Sequence, residues 1–268
     1  MQLRRSLRLP KEHGAWAMLY VPFVLGALAG STTSPFSLAT IPLLLSVTFL
    51  FIARQSLFDW LIARSRATKD VSAFRTMSIY AGLSAIFGGL VIWFHHREWL
   101  VGFATLTLLL LGFNSWQVVR RKDRTIIAEA IAIMGLTLTA PTSYYVSRGR
   151  LDSKAWILWA LCTLYFASSV FYVKLRVNSL NRRRNDLKRR SWRDCALYHV
   201  FLLLALVALS ATGNSNLCIL AAFIPVIIRT AWQLGRPSSQ ISLRRVGLLE
   251  IAYSFVFLVL VTVGYRRF

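Results

Sequence analysis

The chain has 268 residues, of which 56% are apolar or aromatic and 16% are charged, with a net charge of +22. So few charges cannot cover a soluble surface, and lipid is the expected solvent for most of the chain. The basic residues fall between apolar runs instead of lining one face, which argues against a nucleic-acid partner. Cys162, Cys195 and Cys218 show no CxxC spacing, so neither a disulfide framework nor a zinc site is expected.

A bilayer core about 30 Å thick takes roughly 20 apolar residues per helix. Nine runs qualify, at 14–30, 38–53, 77–94, 99–117, 126–146, 155–173, 195–211, 215–232 and 247–264. They predict an all-α fold, a single polytopic membrane bundle over 1–268 with no room for a second domain. The first run opens on Leu9-Pro10-Lys11-Glu12-His13-Gly14-Ala15-Trp16. Proline at a helix start loses no hydrogen bond, Glu12 meets the positive end of the helix dipole, and His13 beside it titrates near neutrality. Arg4, Arg5 and Arg8 give this region a signal-peptide look, yet eight later runs commit the chain to the membrane and a retained helix is expected. Small residues at Gly14 and Ala15, then Gly26, Ala27 and Gly30, allow another helix to approach closely.

Further along, Arg54 closes the second run, Asn114 and Gln117 close the fourth, and Glu129 enters the fifth. Lys174, Arg176 and Asn178 follow the sixth, and His199 enters the seventh. Arg229 and Glu250 lie about a turn inside the eighth and ninth. Lys and Arg gather on the cytoplasmic side of membrane helices. Segments 1–11, 54–75, 118–125, 174–194 and 233–246 hold 25 of the 32, which predicts a cytoplasmic N-terminus, an external C-terminus and a bacterial cytoplasmic (inner) membrane. The polar residues of the spans sit at that same end, whereas Glu98 and Asp152 alone among the ten acidic residues fall at the other. A charge in hydrocarbon costs about 3 kcal/mol or more, so each needs a partner or a water-filled cavity. Two readings follow: ion pairs involving Glu129, Arg229 and Glu250, or a cavity open to the cytoplasm. The cavity reading makes ligand-binding candidates of Lys11, Glu12, His13, Arg54, Asn114, Glu129, Lys174, Arg176, Asn178, Arg229 and Glu250.

Several stretches resemble the YwiC-like family of bacterial membrane proteins. They are Pro10-Lys11-Glu12-His13-Gly14-Ala15-Trp16-Ala17-Met18, Arg124-Thr125-Ile126-Ile127-Ala128-Glu129, Tyr165 through Arg176, and Arg244-Arg245-Val246-Gly247-Leu248-Leu249-Glu250. The resemblance spans nearly the whole chain and names a relative more than a reaction. A more distant similarity of layout is to the UbiA prenyltransferase superfamily, which implies nine helices and two Asp-rich motifs on the cytoplasmic side. Here the corresponding connections are 54–75 and 174–194.

Those enzymes hold Mg²⁺ on several carboxylates, which neutralises a diphosphate leaving group. This chain offers Asp59 and Asp70 in the first connection, and Asn178, Asn181, Asn185, Asp186 and Asp194 among nine basic residues in the second. Excess positive charge repels Mg²⁺ and attracts a phosphate directly. The main expectation is therefore a binder of an anionic-headed lipid or isoprenoid, with Arg54, Lys174 and Arg176 on the head and no resident cofactor. One alternative is an active transferase, with Asp59, Asp186 and Glu12 as catalytic candidates around a single Mg²⁺. Another is a small transporter, with Glu129, Glu250 and His13 coupling protons, or an accessory subunit of a membrane complex. Membrane lipids are the expected surroundings, and no protein partner is indicated.

Overall fold

The structure is a computed structural model describing residues 13–31, 37–68, 70–121, 125–180, 185–213, 215–235 and 243–266, except for the side chains of 13, 180, 243 and 244. These residues form eleven helices and no strand: α1 (His13–Gly30), α2 (Thr40–Ser65), α3 (Val71–His95), α4 (Trp99–Val119), α5 (Ile126–Thr137), α6 (Thr139–Arg148), α7 (Ser153–Leu180), α8 (Asn185–Ala211), α9 (Leu217–Ala221), α10 (Ile224–Gly235) and α11 (Leu243–Arg266).

Eleven helices make nine passes because two passes are broken by proline. Proline has no N–H to give to the carbonyl four residues back. Pro141 therefore leaves the bond to Thr137 unmade, where α5 ends, and Pro225 does the same at Ala221, where α9 ends. Counting the segments either side of each break as one, eight passes are long and apolar enough to cross a membrane, and Gly14–Gly30 is a shorter apolar ninth. The chain is a multi-pass membrane protein with a helical bundle fold.

The helices outrun the apolar runs that announce them. The connection expected at 54–75 is largely helix, because α2 continues to Ser65 and α3 begins at Val71, capped by Asp70 accepting from the Ala73 amide at 2.9 Å. The connection expected at 174–194 is likewise taken up by the ends of α7 and α8. Apolar composition marks where lipid stops, whereas a helix continues for as long as its residues favour it.

At the centre, α1 packs against α6. A Cβ placed on Gly26 would meet Ala140 O and Ser143 Oγ at 2.1 Å, and one on Gly30 would meet Tyr144 O at 2.7 Å. These glycines let the backbones touch, as their spacing predicts, whereas Gly14 faces open space. The close approach brings side-chain donors to α1 carbonyls: Thr139 Oγ1 donates to Leu19 O at 2.9 Å and Ser143 Oγ to Phe23 O at 2.7 Å. Pro22 leaves Met18 O without its partner in the ladder, one residue before the carbonyl that Thr139 serves. On one side, α7 and α11 meet through the stacked rings of Tyr165 and Phe257, 4.0 Å apart. On the other, α2 and α3 pair closely, with Ser46 Oγ donating to Ser84 O at 2.8 Å.

Candidate functional site

Between α2, α3, α4 and α5 lies a cavity of about 440 Å³, within the range of small-molecule sites. Its width comes from small side chains on α3, where Ala81, Ser84, Ala85, Gly88 and Gly89 stand along one wall. Leucines, Phe103 and Ile92 supply most of the remaining surface. The hydroxyls in the lining already have acceptors: Thr107 donates to Phe103 O at 2.8 Å, Thr142 to Leu138 O at 2.7 Å, and Ser46 and Thr139 as described above. The strongly polar groups of the lining are Arg54 and Asn114, on facing helices at the end where the basic segments collect. The Arg54 guanidinium lies 4.7 Å over the Phe58 ring, so its stem and plane rest on apolar surface. The cavity is thus a greasy slot running from Leu43 and Leu100 to a cation and an amide.

The other described candidates at the basic end are engaged away from the slot, Lys174, Glu129, Arg229 and Glu250 among themselves and Arg176 and Asn178 with residues that were not candidates. Lys174 Nζ meets Glu129 Oε2 at 2.5 Å, tying α7 to α5. Arg229 pairs with Glu250, tying α10 to α11. The Arg229 guanidinium stacks 4.0 Å from the Tyr172 ring centroid and 5.4 Å from that of Tyr253. Its Nε and Nη2 and Glu250 Oε2 are buried without a hydrogen-bond partner, and the two tyrosine faces are what the guanidinium rests on. One turn nearer the basic end, Arg176, only 1% exposed, donates from Nη1 to Gln233 Oε1 at 2.6 Å. Asn178 Nδ2 donates to Ser191 Oγ at 2.5 Å, joining α7 to α8.

Buried His199 is engaged at both ring nitrogens, Nδ1 with Cys195 O at 2.8 Å and Nε2 with Ser168 Oγ at 2.9 Å. A carbonyl only accepts, so Nδ1 carries the proton and Ser168 donates to Nε2 when the ring is neutral. Neither nitrogen is then offered to a metal or haem.

The carboxylates expected around Mg²⁺ stand on different parts of the bundle. Asp59, on the extension of α2, accepts from Gln55 Nε2 at 3.3 Å, and Asp70 caps α3. Asp186 is exposed in the first turn of α8, and Asp194 faces Arg190 and Arg193. Among the described residues no three His, Cys, Asp or Glu side chains gather as a metal site. Lys11 and Glu12 lie outside the described residues, as does the side chain of His13. The residues that are described do not fit the multi-carboxylate cage such a metal needs.

Reasoning from sequence passed over Gln233, Ser191, and the tyrosines that flank Arg229. It also passed over the slot's wall, although the run of small residues from Ala81 to Gly89 carried that signal.

The family described as "YwiC-like protein" matches residues 9–144. That segment contains Arg54, Asn114 and the walls of the slot. A Bacillus subtilis (strain 168) protein described as "Uncharacterized protein YwiC" is 28% identical over 251 residues, covering 93% of this chain and 95% of its own length. A Haemophilus influenzae protein (strain ATCC 51907 / DSM 11121 / KW20 / Rd), described as "Uncharacterized protein", is 25% identical over 262 residues, covering 97% of this chain and 99% of its own. No solved structure matches the chain. With about half of its length matched by the family and near full-length relatives on both counts, this chain belongs to the YwiC-like family.

Proposed function

We propose that this protein binds a lipid or isoprenoid with an anionic head in the slot between α2 and α5, with Arg54 and Asn114 holding the head. The observation that carries this reading is the slot's polarity: apolar along its length, with a guanidinium and an amide at one end only. In a bilayer the tail gains little by leaving lipid for an equally apolar slot, so the head supplies most of the selectivity. Arg54 offers a phosphate or carboxylate a charge-assisted bond, and Asn114 adds a neutral donor. The basic end is assigned to the cytoplasmic face of a bacterial inner membrane on its excess of Lys and Arg, so the head is taken from the inner leaflet.

The test compares tetradecyl phosphate with tetradecanol, which share a tail and differ in the head. A ligand that binds only the folded state raises the melting temperature of the detergent-purified protein, with a stabilisation that grows as the logarithm of its concentration over Kd. The phosphate is expected to stabilise the native chain and the alcohol not to. Arg54→Gln is expected to weaken phosphate binding by roughly 10- to 100-fold, equivalent to about 1.5–3 kcal/mol for a charge-assisted bond. An equal shift in Arg54→Gln would remove the reading.

A further inference from the structure

Resting on that reading of the slot, the pattern of exposure along its walls bears on how a ligand reaches it. Of the residues that line the slot, Ala81, Ala85 and Gly89 on α3 and Ala104 and Leu108 on α4 are exposed, whereas all the others are buried or half-buried. Residues four apart on a helix share a face, so α3 presents its three as one edge and α4 its two as another. The slot is therefore walled on the sides of α1, α2, α5 and α6 and open along the seam between α3 and α4. That seam has a physical origin. Helix α3 is held to α2, where Ser46 Oγ donates to Ser84 O at 2.8 Å and the Phe49 ring lies 5.9 Å from Tyr80 and 5.6 Å from Phe87. Helix α4 packs the other way, with a Cβ on Gly135 of α5 falling 3.8 Å from Leu110 and the Phe103 ring 5.9 Å from Trp156 of α7. The edge residues left between are alanine and glycine apart from Leu108, too short to close the seam.

Arg54 and Ala81 stand about ten residues from the α2–α3 turn on their respective helices, so the α3 edge begins level with the cation and runs about 12 Å to Gly89. Ile86 and Leu109, beside the seam on the same two helices, are apolar and exposed, as befits a surface in contact with lipid tails. We infer that the slot loads sideways from the bilayer, the tail sliding between α3 and α4 while the head keeps level with Arg54 and Asn114. This route takes the tail through no water and the charged head through no hydrocarbon, the two passages that an amphiphile resists most. The ligand is then a lipid already resident in the membrane, and the small residues of the α3 edge control its exchange.

The test follows exchange of tritiated tetradecyl phosphate on the full chain, held on a resin in detergent micelles and chased with unlabelled ligand. A Cβ on Gly89 or on Gly82 meets nothing within 4 Å, so phenylalanine fits at the root of either, and Gly82 is exposed on α3 but does not line the slot. In Gly89→Phe, loading and release are both expected to slow by about tenfold or more, because an obstacle on the path raises one barrier that both directions share. Gly82→Phe is expected to exchange like the native chain. Native-like exchange or faster release in Gly89→Phe overturns sideways loading and leaves the anionic-lipid reading standing, whereas a native chain that retains no tetradecyl phosphate overturns both. Should Gly89→Phe melt below the native chain, Ala85→Phe, one turn away on the same edge, carries the same test with the same outcomes.

Discussion

Charges in this bundle differ in what they do according to how far they are buried. Arg229 is 9% exposed and held between two tyrosine rings, so removing its partner strands a cation in the bundle. Glu250→Ala is expected to lower stability by roughly 3–5 kcal/mol, and the double variant Arg229→Met with Glu250→Leu to recover most of that loss. Lys174 and Glu129 are about a third and a quarter exposed, so Glu129→Ala is expected to cost less than about 1 kcal/mol. Thermal unfolding of the variants in one detergent ranks them, and a Glu129→Ala loss as large as that of Glu250→Ala would contradict the ordering. Sequence alone singled out Arg54, Asn114, Glu129, Arg176, Arg229 and Glu250, because a charge or amide in an apolar run is conspicuous. It left open which of them pair, since pairing is fixed by helix rotation and neighbour choice, and neither leaves a mark in one chain's residue order. The tyrosines around Arg229 were invisible for a related reason: an aromatic ring near a membrane face has an ordinary explanation as an interfacial anchor.

Helices are placed by two different signals, and only one was easily read. Apolar length gave the nine passes, but proline placement explains why two of them are each built as a pair of helices. Helices α2, α7 and α8 run past the apolar spans read from sequence because hydropathy reports the bilayer edge, not the helix terminus. Between helices, glycine spacing was the most informative feature. Gly26 and Gly30 sit against α6 without space for a methyl group, so Gly26→Val forces the α1 and α6 backbones apart. We expect a loss of roughly 1–3 kcal/mol from overpacking, read as a lower melting temperature, while Gly14→Ala leaves melting unchanged. Equal effects at the two positions would contradict the packing described for α1.

At the scale of the whole molecule, the basic residues and the slot's polar end coincide, and the proposed orientation rests on that coincidence. Under the proposed orientation, a single cysteine at Arg66 in a background lacking Cys162, Cys195 and Cys218 reacts with an impermeant maleimide from the cytoplasmic side. One at Arg150, at the opposite end, reacts from outside, and the reverse pattern would invert the assignment. The expected cytoplasmic gathering of polar groups divides in space into an apolar slot with a cationic end and a separate set of buried pairs among α5, α7, α10 and α11. The small residues that open the slot are individually unremarkable, which is why the cavity was harder to read than the charges.

The proposed binding site is tested most directly by photo-crosslinking an alkyl phosphate that carries a diazirine in its tail, with labelled peptides mapped by mass spectrometry. Label is expected on slot-lining residues of α3, α4 and α5 such as Gly89, Ala104 and Ala132, competed away by unlabelled alkyl phosphate and lost in Arg54→Gln. Label confined to outward-facing residues such as Leu204 and Ile251, unaffected by competitor, would show the lipid bathing the bundle without entering it.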